Sequence, residues 1–173
     1  MELNKIILSL MSSCLFYSSI SNAVDSTMTF TASVVASPCT VSSESITKTI
    51  ALDDGNGLQT KDLQSAGATS KWVDFNISLT DCPAGTSRVT ATFNGTEDSD
   101  DPAYYKNSGT AKNIAVQLDS KGGALILSNG KSYIVDITTG ATEIPLSART
   151  ITTNGGVTPG TVQTVVTANL TYQ

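Results

Sequence analysis

The chain has 173 residues, a net charge of −5 and no histidine. Without histidine it lacks the commonest general base near neutral pH, the usual zinc ligand and every Ser-His catalytic triad, and it carries no P-loop or dinucleotide-binding glycine pattern. We therefore expect no enzyme, no metal and no cofactor, and the lack of any basic run gives no reason to expect nucleic acid or anionic lipid as a partner.

Residues 1–23 have the pattern of an export signal peptide. Lys5 gives a weakly positive start, an apolar run covers residues 6–20, and the small residues that end at Ala23 fit a cleavage site. A retained membrane anchor is one alternative, although the run is short and rich in serine. Cleavage before Cys14 to give a lipoprotein is another. We expect cleavage after residue 23, which leaves a soluble mature chain of one domain's length with no membrane insertion.

The first residues of the mature chain predict an extended strand. Residues 24–34 alternate between two faces almost without a break, and one face is apolar. The positions on that face are Val24, Ser26, Met28, Phe30, Ala32 and Val34, of which only Ser26 is polar. Such a face needs burial, but alternation alone does not decide whether the strand fills the core of its own domain or that of another one.

Two cysteines remain in the mature chain, Cys39 and Cys82. In an exported chain such a pair favours one disulfide over two buried free thiols. Closing a loop of about forty residues would stabilise the fold by roughly 4 kcal/mol on the chain-entropy estimate. We therefore predict a Cys39–Cys82 disulfide.

The middle of the chain predicts an all-β domain, because short runs of alternating apolar and polar residues are separated by glycine, asparagine and aspartate. The apolar positions of the predicted strands are Val73, Phe75, Ile77 and Leu79; Val89, Ala91 and Phe93; Ile114, Val116 and Leu118; Ile134–Ile137; and Ile144, Leu146 and Ala148. Asn94-Gly95 and Asn129-Gly130 predict turns with positive φ. A short helical turn is expected only within Lys61–Ala68. Strands at this spacing favour a two-sheet sandwich of immunoglobulin type, with a barrel as the alternative.

Two features of this region have competing interpretations. Trp72 is expected to pack in the core, as a lone tryptophan within a strand usually does, and stacking against a sugar is the alternative. The acidic residues Glu97, Asp98, Asp100 and Asp101 lack the spacing of an EF-hand calcium site, so we expect them to form a solvated loop. No pair of carboxylates stands out for glycoside hydrolysis.

The last residues predict a further strand, from Val162 to Tyr172. The residues that share a face in this alternation are Val162, Thr164, Val166, Ala168, Leu170 and Tyr172, and they follow Gly160. The sequence reaches Gln173 inside this strand. An immunoglobulin-type sandwich built from these residues would therefore lack the strand that normally lies beside its last one.

The sequence from Asp25 to Gln173 resembles the pilin subunits of chaperone–usher fibres, and among them the minor tip-adaptor subunits of type 1 fimbriae. A glycine fourteenth from the end and a tyrosine next to last form the family's end signature, which Gly160 and Tyr172 match. The other segments that carry the resemblance are Ser37–Val41, Leu63–Ala68, Leu79–Pro83, Gly85–Ala91, Tyr104–Asn107 and Gly109–Ala111.

The resemblance implies an incomplete immunoglobulin-like sandwich that lacks its last strand, with an N-terminal donor-strand extension. In this scheme residues 1–23 are the signal peptide, residues 24–36 the extension and residues 37–173 the pilin domain. A periplasmic chaperone would lend a strand along Val162–Tyr172, and at the outer-membrane usher the extension of the next subunit would replace it. The protein would pass through the periplasm to a cell-surface fimbrium. One position departs from the family, which commonly has a glycine where this donor strand has Ala32.

The sequence supports a structural subunit most strongly, and other interpretations remain open. The chain could be a major rod pilin instead of a tip adaptor. A glycan-binding fimbrial adhesin is disfavoured, because such adhesins carry an additional lectin domain and no donor strand. A secreted β-sandwich hydrolase is disfavoured by the absence of histidine.

Overall fold

The computed structural model describes residues 31–32, 37–53, 55 and 57–173. The chain divides into two units, Met1–Ser33 and Val34–Gln173. In the first unit only Thr31 and Ala32 are described; both are exposed and belong to no helix or strand. The predicted signal peptide and all donor-strand positions except Ala32 lie outside the described residues. All the described helices and strands belong to the second unit.

The second unit consists almost entirely of strands, which confirms the predicted all-β class. Its helical parts are α1 (Ser43–Ile46) and a 3₁₀ turn (Thr60–Leu63), which begins one residue before the helical turn that the sequence predicts. The strands are β1 (Thr40–Val41), β2 (Val73–Thr80), β3 (Arg88–Gly95), β4 (Tyr105–Lys106), β5 (Ala115–Ser120), β6 (Ser132–Asp136), β7 (Thr142–Ile151) and β8 (Val166–Tyr172). Within the described part of the chain, no helix has the length and apolarity of a membrane span.

The strands form two sheets rather than a barrel. One has five strands in the order β1-β2-β7-β5-β4, and the other has three in the order β6-β3-β8; all pairings are antiparallel. The alternating apolar residues of β2, β3 and β7 meet between the sheets, where Val89, Ile144 and Leu146 are at most 1% exposed. Ile134 of β6 is an exception and is 55% exposed. Alternation along each strand therefore places one set of side chains in a shared core.

β5 departs from this simple alternation, because all of its residues are buried. Val116 and Leu118 face the core, while Gln117 and Asp119 lie on the outer face and are nevertheless 5% and 2% exposed. Gln117 Nε2 donates to both carboxylate oxygens of Asp119, at 3.1 and 3.2 Å, and Arg149 Nε donates to Gln117 Oε1 at 2.9 Å. A hydrogen-bonded network thus replaces the exposed polar face that the sequence predicts.

The predicted disulfide is present between Cys39 and Cys82, which are 43 positions apart in sequence. Both half-cystines are buried. They lie just outside the Thr40–Thr80 pair that joins β1 to β2. The bridge therefore fastens the short edge strand β1 to its neighbour.

The expectation that Asn94-Gly95 forms a turn is wrong. Gly95 is the last residue of β3 and does not have positive φ, whereas Gly130 does, at 76°. The aromatic ring of Tyr105 packs against Gly95, so closely that a Cβ there would lie 2.7 Å from Cδ1 of the ring. The glycine is needed for this close approach and not for a turn.

The expectation that Trp72 packs in the core is also wrong. Trp72 directly precedes β2 and is 37% exposed. Its neighbour Val73 pairs with Ala148, so Trp72 lies beside Arg149 of β7, whose guanidinium carbon is 4.2 Å from the centroid of the indole ring. This stacked pair lies on the outer face of the five-stranded sheet.

Candidate functional site

β8 lies at the edge of the three-stranded sheet and, among the described residues, pairs only with β3. The N–H groups of Arg88 and Gln173 each donate to the other residue's carbonyl oxygen, at 3.1 and 3.0 Å. This pair shows which residues of β8 form hydrogen bonds with β3 and which do not. Because antiparallel pairs alternate, the backbone of every second β8 residue points away from β3. These residues are Val166, Ala168, Leu170 and Tyr172, and their N–H and C=O groups have no hydrogen-bond partner among the described residues.

The side chains of the same residues form the apolar face of β8. Val166, Ala168, Leu170 and Tyr172 are half-buried and pack against the core, whereas the intervening residues of β8 are exposed. Burial raises the pKa of the Tyr172 phenol above its usual value. This outer edge of β8, the free edge, therefore combines a row of backbone groups that have no partner among the described residues with a row of apolar side chains that are only partly covered.

Within the described residues, β8 has no charged side chain, no proline and no bulge to protect this edge. Exposed edges are normally blunted by charged side chains, proline or bulges, because an open row of N–H and C=O groups pairs readily with another strand. Residues 161–173 contain no charged side chain and no proline. This edge is therefore suited to accept an added strand.

The residues just before β8 are held by the loop at Asn107–Ala111. The N–H of Ser108 donates to the carbonyl of Gln163 at 2.8 Å, and the N–H of Ala111 donates to that of Thr161 at 3.1 Å. The N–H of Gln163 in turn donates to the side chain of Asn107 at 2.8 Å. These bonds end at residue 163, so the free edge begins beyond it.

Of the residues that the sequence predicts for the edge, four lie within β8, and Gly160, Val162 and Thr164 lie before it. Val162 and Thr164 precede β8 but are half-buried, and Val162 packs against the core. Gly160 is exposed and lies outside the apolar face. A Cβ at Gly160 would overlap the backbone of Thr110 and Ala111, so this glycine allows the loop and the chain end to approach closely.

The acidic residues that follow β3 accept hydrogen bonds from their own loop and from Asn154. Asp98 Oδ1 accepts the N–H of Asp100 at 3.0 Å, and Asp101 Oδ1 accepts that of Ala103 at 2.9 Å. Asp100 Oδ2 accepts the amide of Asn154 at 3.0 Å. Within the described ranges, no group of three or more histidine, cysteine, aspartate and glutamate side chains is arranged to hold a metal ion.

Comparison with known proteins identifies the family. The family model described as "Fimbrial protein" matches residues 28–173. The chain is 46% identical over 151 residues to "Protein FimG" of Escherichia coli (strain K12), an alignment that covers 87% of this chain and 86% of that protein.

Two solved structures share the fold. The crystal structure of the P pilus rod subunit PapA matches with a TM-score of 0.65 at 22% identity, over 79% of this chain and 100% of that one. A chaperone–usher pilus structure matches with a TM-score of 0.65 at 23% identity, over 87% and 97%. These likenesses confirm the predicted pilin-type, immunoglobulin-like fold class. The chain belongs to the fimbrial protein family and is a structural subunit of a fimbria.

Proposed function

We propose that this subunit is of the minor tip-adaptor type and joins its neighbours by donor-strand exchange, in a fibre that supports cell adhesion. The observation that carries the proposal is the free edge of β8, where backbone groups of Val166, Ala168, Leu170 and Tyr172 point away from β3 above half-buried apolar side chains. A strand from another chain would pair with these groups and cover the apolar face.

The energy available from such a pairing is large enough to hold a fibre together. Each fully buried large apolar side chain is worth roughly 1.5–3 kcal/mol, and each backbone hydrogen bond roughly 1 kcal/mol net. Four or five such side chains, together with the backbone hydrogen bonds of the added strand, give a gross stabilisation on the order of 10 kcal/mol. An unprotected edge with this potential would aggregate, so a periplasmic chaperone has to occupy it before assembly.

The donor that this chain supplies in the scheme is its own segment at residues 24–34, which fills the groove of the preceding subunit. Its apolar face consists of Val24, Met28, Phe30, Ala32 and Val34, with Ser26 in the same alternation. The chain is exported through the periplasm after loss of residues 1–23, receives a chaperone strand at β8, and exchanges it at the outer-membrane usher for the extension of the next subunit. The extension at residues 24–36 serves the preceding subunit in the same way.

The adaptor position is favoured over the rod position by the sequence resemblance and by identity. The segments from Ser37 to Ala111 resemble those of tip-adaptor subunits, and identity to Protein FimG is 46%. Identity to "Probable major fimbrial subunit LpfA" of Escherichia coli O157:H7 is lower, at 28%. A major rod subunit is the alternative, and immunogold labelling distinguishes the two, since an adaptor is expected at fibre tips and a rod subunit along the shaft.

The donor assignment is tested with Phe30→Asp. A charge on the apolar face of the incoming strand would have to be buried without a partner, which costs several kcal/mol, so we expect the variant to be lost from fibres. The measurement is the amount of this chain in sheared fimbriae relative to the cell-bound pool.

The matched control is Thr29→Asp, which places the same charge one residue away on the polar face and should assemble normally. Normal incorporation of Phe30→Asp would show that residues 24–34 are not the donor. Equal loss of both variants would point to an effect of charge on export.

A further inference from the structure

The outer face of the five-stranded sheet carries a cleft of about 270 Å³ that strand exchange does not use. It is lined by Trp72, Asp74, Lys121, Gly122, Gly123 and Ser147. Asp74 and Trp72 come from β2 and the residue before it, Ser147 comes from β7, and the other three residues belong to the turn after β5. The cleft therefore combines an aromatic ring with a charged pair and a glycine turn.

The aromatic ring is held firmly in place. The guanidinium of Arg149 stacks on Trp72 and donates to Gln117 Oε1 at 2.9 Å and to Thr69 Oγ1 at 3.2 Å. The indole nevertheless remains 37% exposed. A fixed, partly open aromatic surface is suited to stacking, because little conformational entropy remains to be lost on binding.

In the cleft a hydrogen-bond donor, Lys121, lies beside an acceptor, Asp74. Asp74 Oδ1 accepts the hydroxyl of Ser147 at 2.6 Å, and Asp74 Oδ2 lies 3.3 Å from Lys121 Nζ. The Ser147 hydrogen bond, followed by Lys121, holds the pKa of the Asp74 carboxyl below its usual value, so it is ionised at neutral pH. Both charged side chains are about half exposed, which leaves further hydrogen-bonding capacity on each.

The turn leaves the mouth of the cleft open. Gly122 and Gly123 have φ of 89° and 72°, a conformation that favours glycine, and neither carries a side chain that could fill the cleft. The buried carboxylate of Asp119 lies beneath this turn, since a Cβ at Gly123 would be 3.9 Å from Asp119 Oδ2. A ligand can therefore approach the backbone closely here.

We propose that this cleft binds a neutral pyranose sugar. The apolar C–H face of the ring stacks on Trp72, and two neighbouring hydroxyls bind the charged pair, one donating to Asp74 and the other accepting from Lys121. Because the two charges offset each other, the cleft favours a neutral polyol over an anion or a cation. The cleft lies on the sheet that does not contain β8, so binding and fibre assembly are independent and can be tested separately.

The test is saturation-transfer NMR. The sample is the full-length mature protein, in whatever assembly it is purified. The probes are the methyl pyranosides of glucose, galactose and mannose, with N-acetylneuraminic acid as the acidic comparison. We expect transfer to the C–H protons of at least one neutral sugar. Because Trp72 is the only tryptophan of the chain, the same sugar should change its fluorescence.

The variants locate the site. Trp72→Ala should abolish transfer. Asp74→Asn should weaken binding about tenfold, since asparagine accepts the hydrogen bond of the sugar without the negative charge that strengthens it. Asp74 is at the surface, so this variant keeps the test valid if Trp72→Ala does not fold. Ile134→Ala is the control, because Ile134 is 55% exposed on the other sheet and its variant should bind as the wild type does.

Three outcomes would overturn the proposal. One is the absence of transfer to every neutral sugar at millimolar concentration. Another is transfer that persists unchanged in Trp72→Ala and Asp74→Asn. The third is binding of N-acetylneuraminic acid alone, which would mean that Lys121 selects an anion.

Discussion

At the scale of single residues, Tyr105 combines several constraints of the core. It is fully buried, its ring covers Gly95, and its hydroxyl donates to the carbonyl of Leu127 at 2.7 Å. Burial raises the pKa of the Tyr105 phenol to about 12. One side chain thus joins β4 to the end of β3 and to the residue that follows the β5 turn.

Replacing Tyr105 with phenylalanine should destabilise the fold while keeping the packing of the ring. The carbonyl of Leu127 would lose its partner in a buried site, so we expect a loss of about 1–3 kcal/mol in the free energy of unfolding at pH 7. Urea denaturation of the wild type and the variant measures this difference. An unchanged midpoint would mean that water or another donor satisfies the carbonyl.

The same variant should change the response to alkaline pH. An unfolded tyrosine ionises near its ordinary pKa of about 10, whereas folded Tyr105 keeps its proton up to about 12. The phenol therefore contributes stability that is fully present below about pH 10 and is lost as the pH rises towards 12. The stability gap between wild type and Tyr105→Phe should narrow over this window, and a constant gap would contradict the assignment.

At the scale of elements, the free edge of β8 allows a test that spares the pairing within the domain. The N–H of Ala168 points away from β3, so Ala168→Pro removes no hydrogen bond of the three-stranded sheet. It does remove a donor for an added strand, and its ring obstructs the approach. We expect folded, disulfide-bonded chain in normal amounts but a severalfold loss from fibres, measured by immunoblotting of sheared fimbriae.

The matched control for this test is Ala168→Ser, which keeps the N–H and nearly the same volume. It should assemble as the wild type does. Normal incorporation of Ala168→Pro would mean that the added strand does not use this edge. If only the proline variant yields less folded chain, the N–H of Ala168 forms a hydrogen bond within the domain itself.

Strands with one buried and one polar face could be predicted from sequence, and strands without this contrast could not. β2, β3 and β7 place their apolar alternation in the core, as expected. The outer face of β5 is buried because Gln117 and Asp119 bind each other and Arg149, which comes from a distant part of the chain. A local sequence pattern holds no information about a hydrogen-bond partner that is so distant in sequence.

The candidate site was predictable in outline. The apolar alternation from Val162 to Tyr172 is visible in the sequence, and the same side chains are half-buried in the structure. The start of β8 at Val166 was not predictable, since the preceding residues bind the Asn107–Ala111 loop from more than fifty positions away. The cleft at Trp72 was missed for the same reason, because three separate segments build it.

At the scale of the whole molecule, the disulfide limits the freedom of the unfolded chain. Cys39 and Cys82 are 43 positions apart, and closing such a loop is worth roughly 4 kcal/mol on the chain-entropy estimate. Replacing both cysteines with serine should lower the free energy of unfolding by about this amount, measured by urea denaturation. The reduced wild type is the control and should match the variant; a reduced chain as stable as the oxidised one would contradict the estimate.

Among the described residues β8 has a partner strand on one side only, so we expect the isolated mature chain to be unstable or to self-associate. A copy of residues 24–34 attached after Gln173 through a flexible linker would supply the partner within one molecule, at an effective concentration in the millimolar range. We expect a monomer with a markedly higher melting temperature, because the apolar face of β8 and its free backbone groups are then covered.

The control is the same extension with the Phe30 position of the copy changed to aspartate, which should give little gain in melting temperature. An equal melting temperature with and without the intact copy would mean that β8 already has its neighbour in the isolated chain.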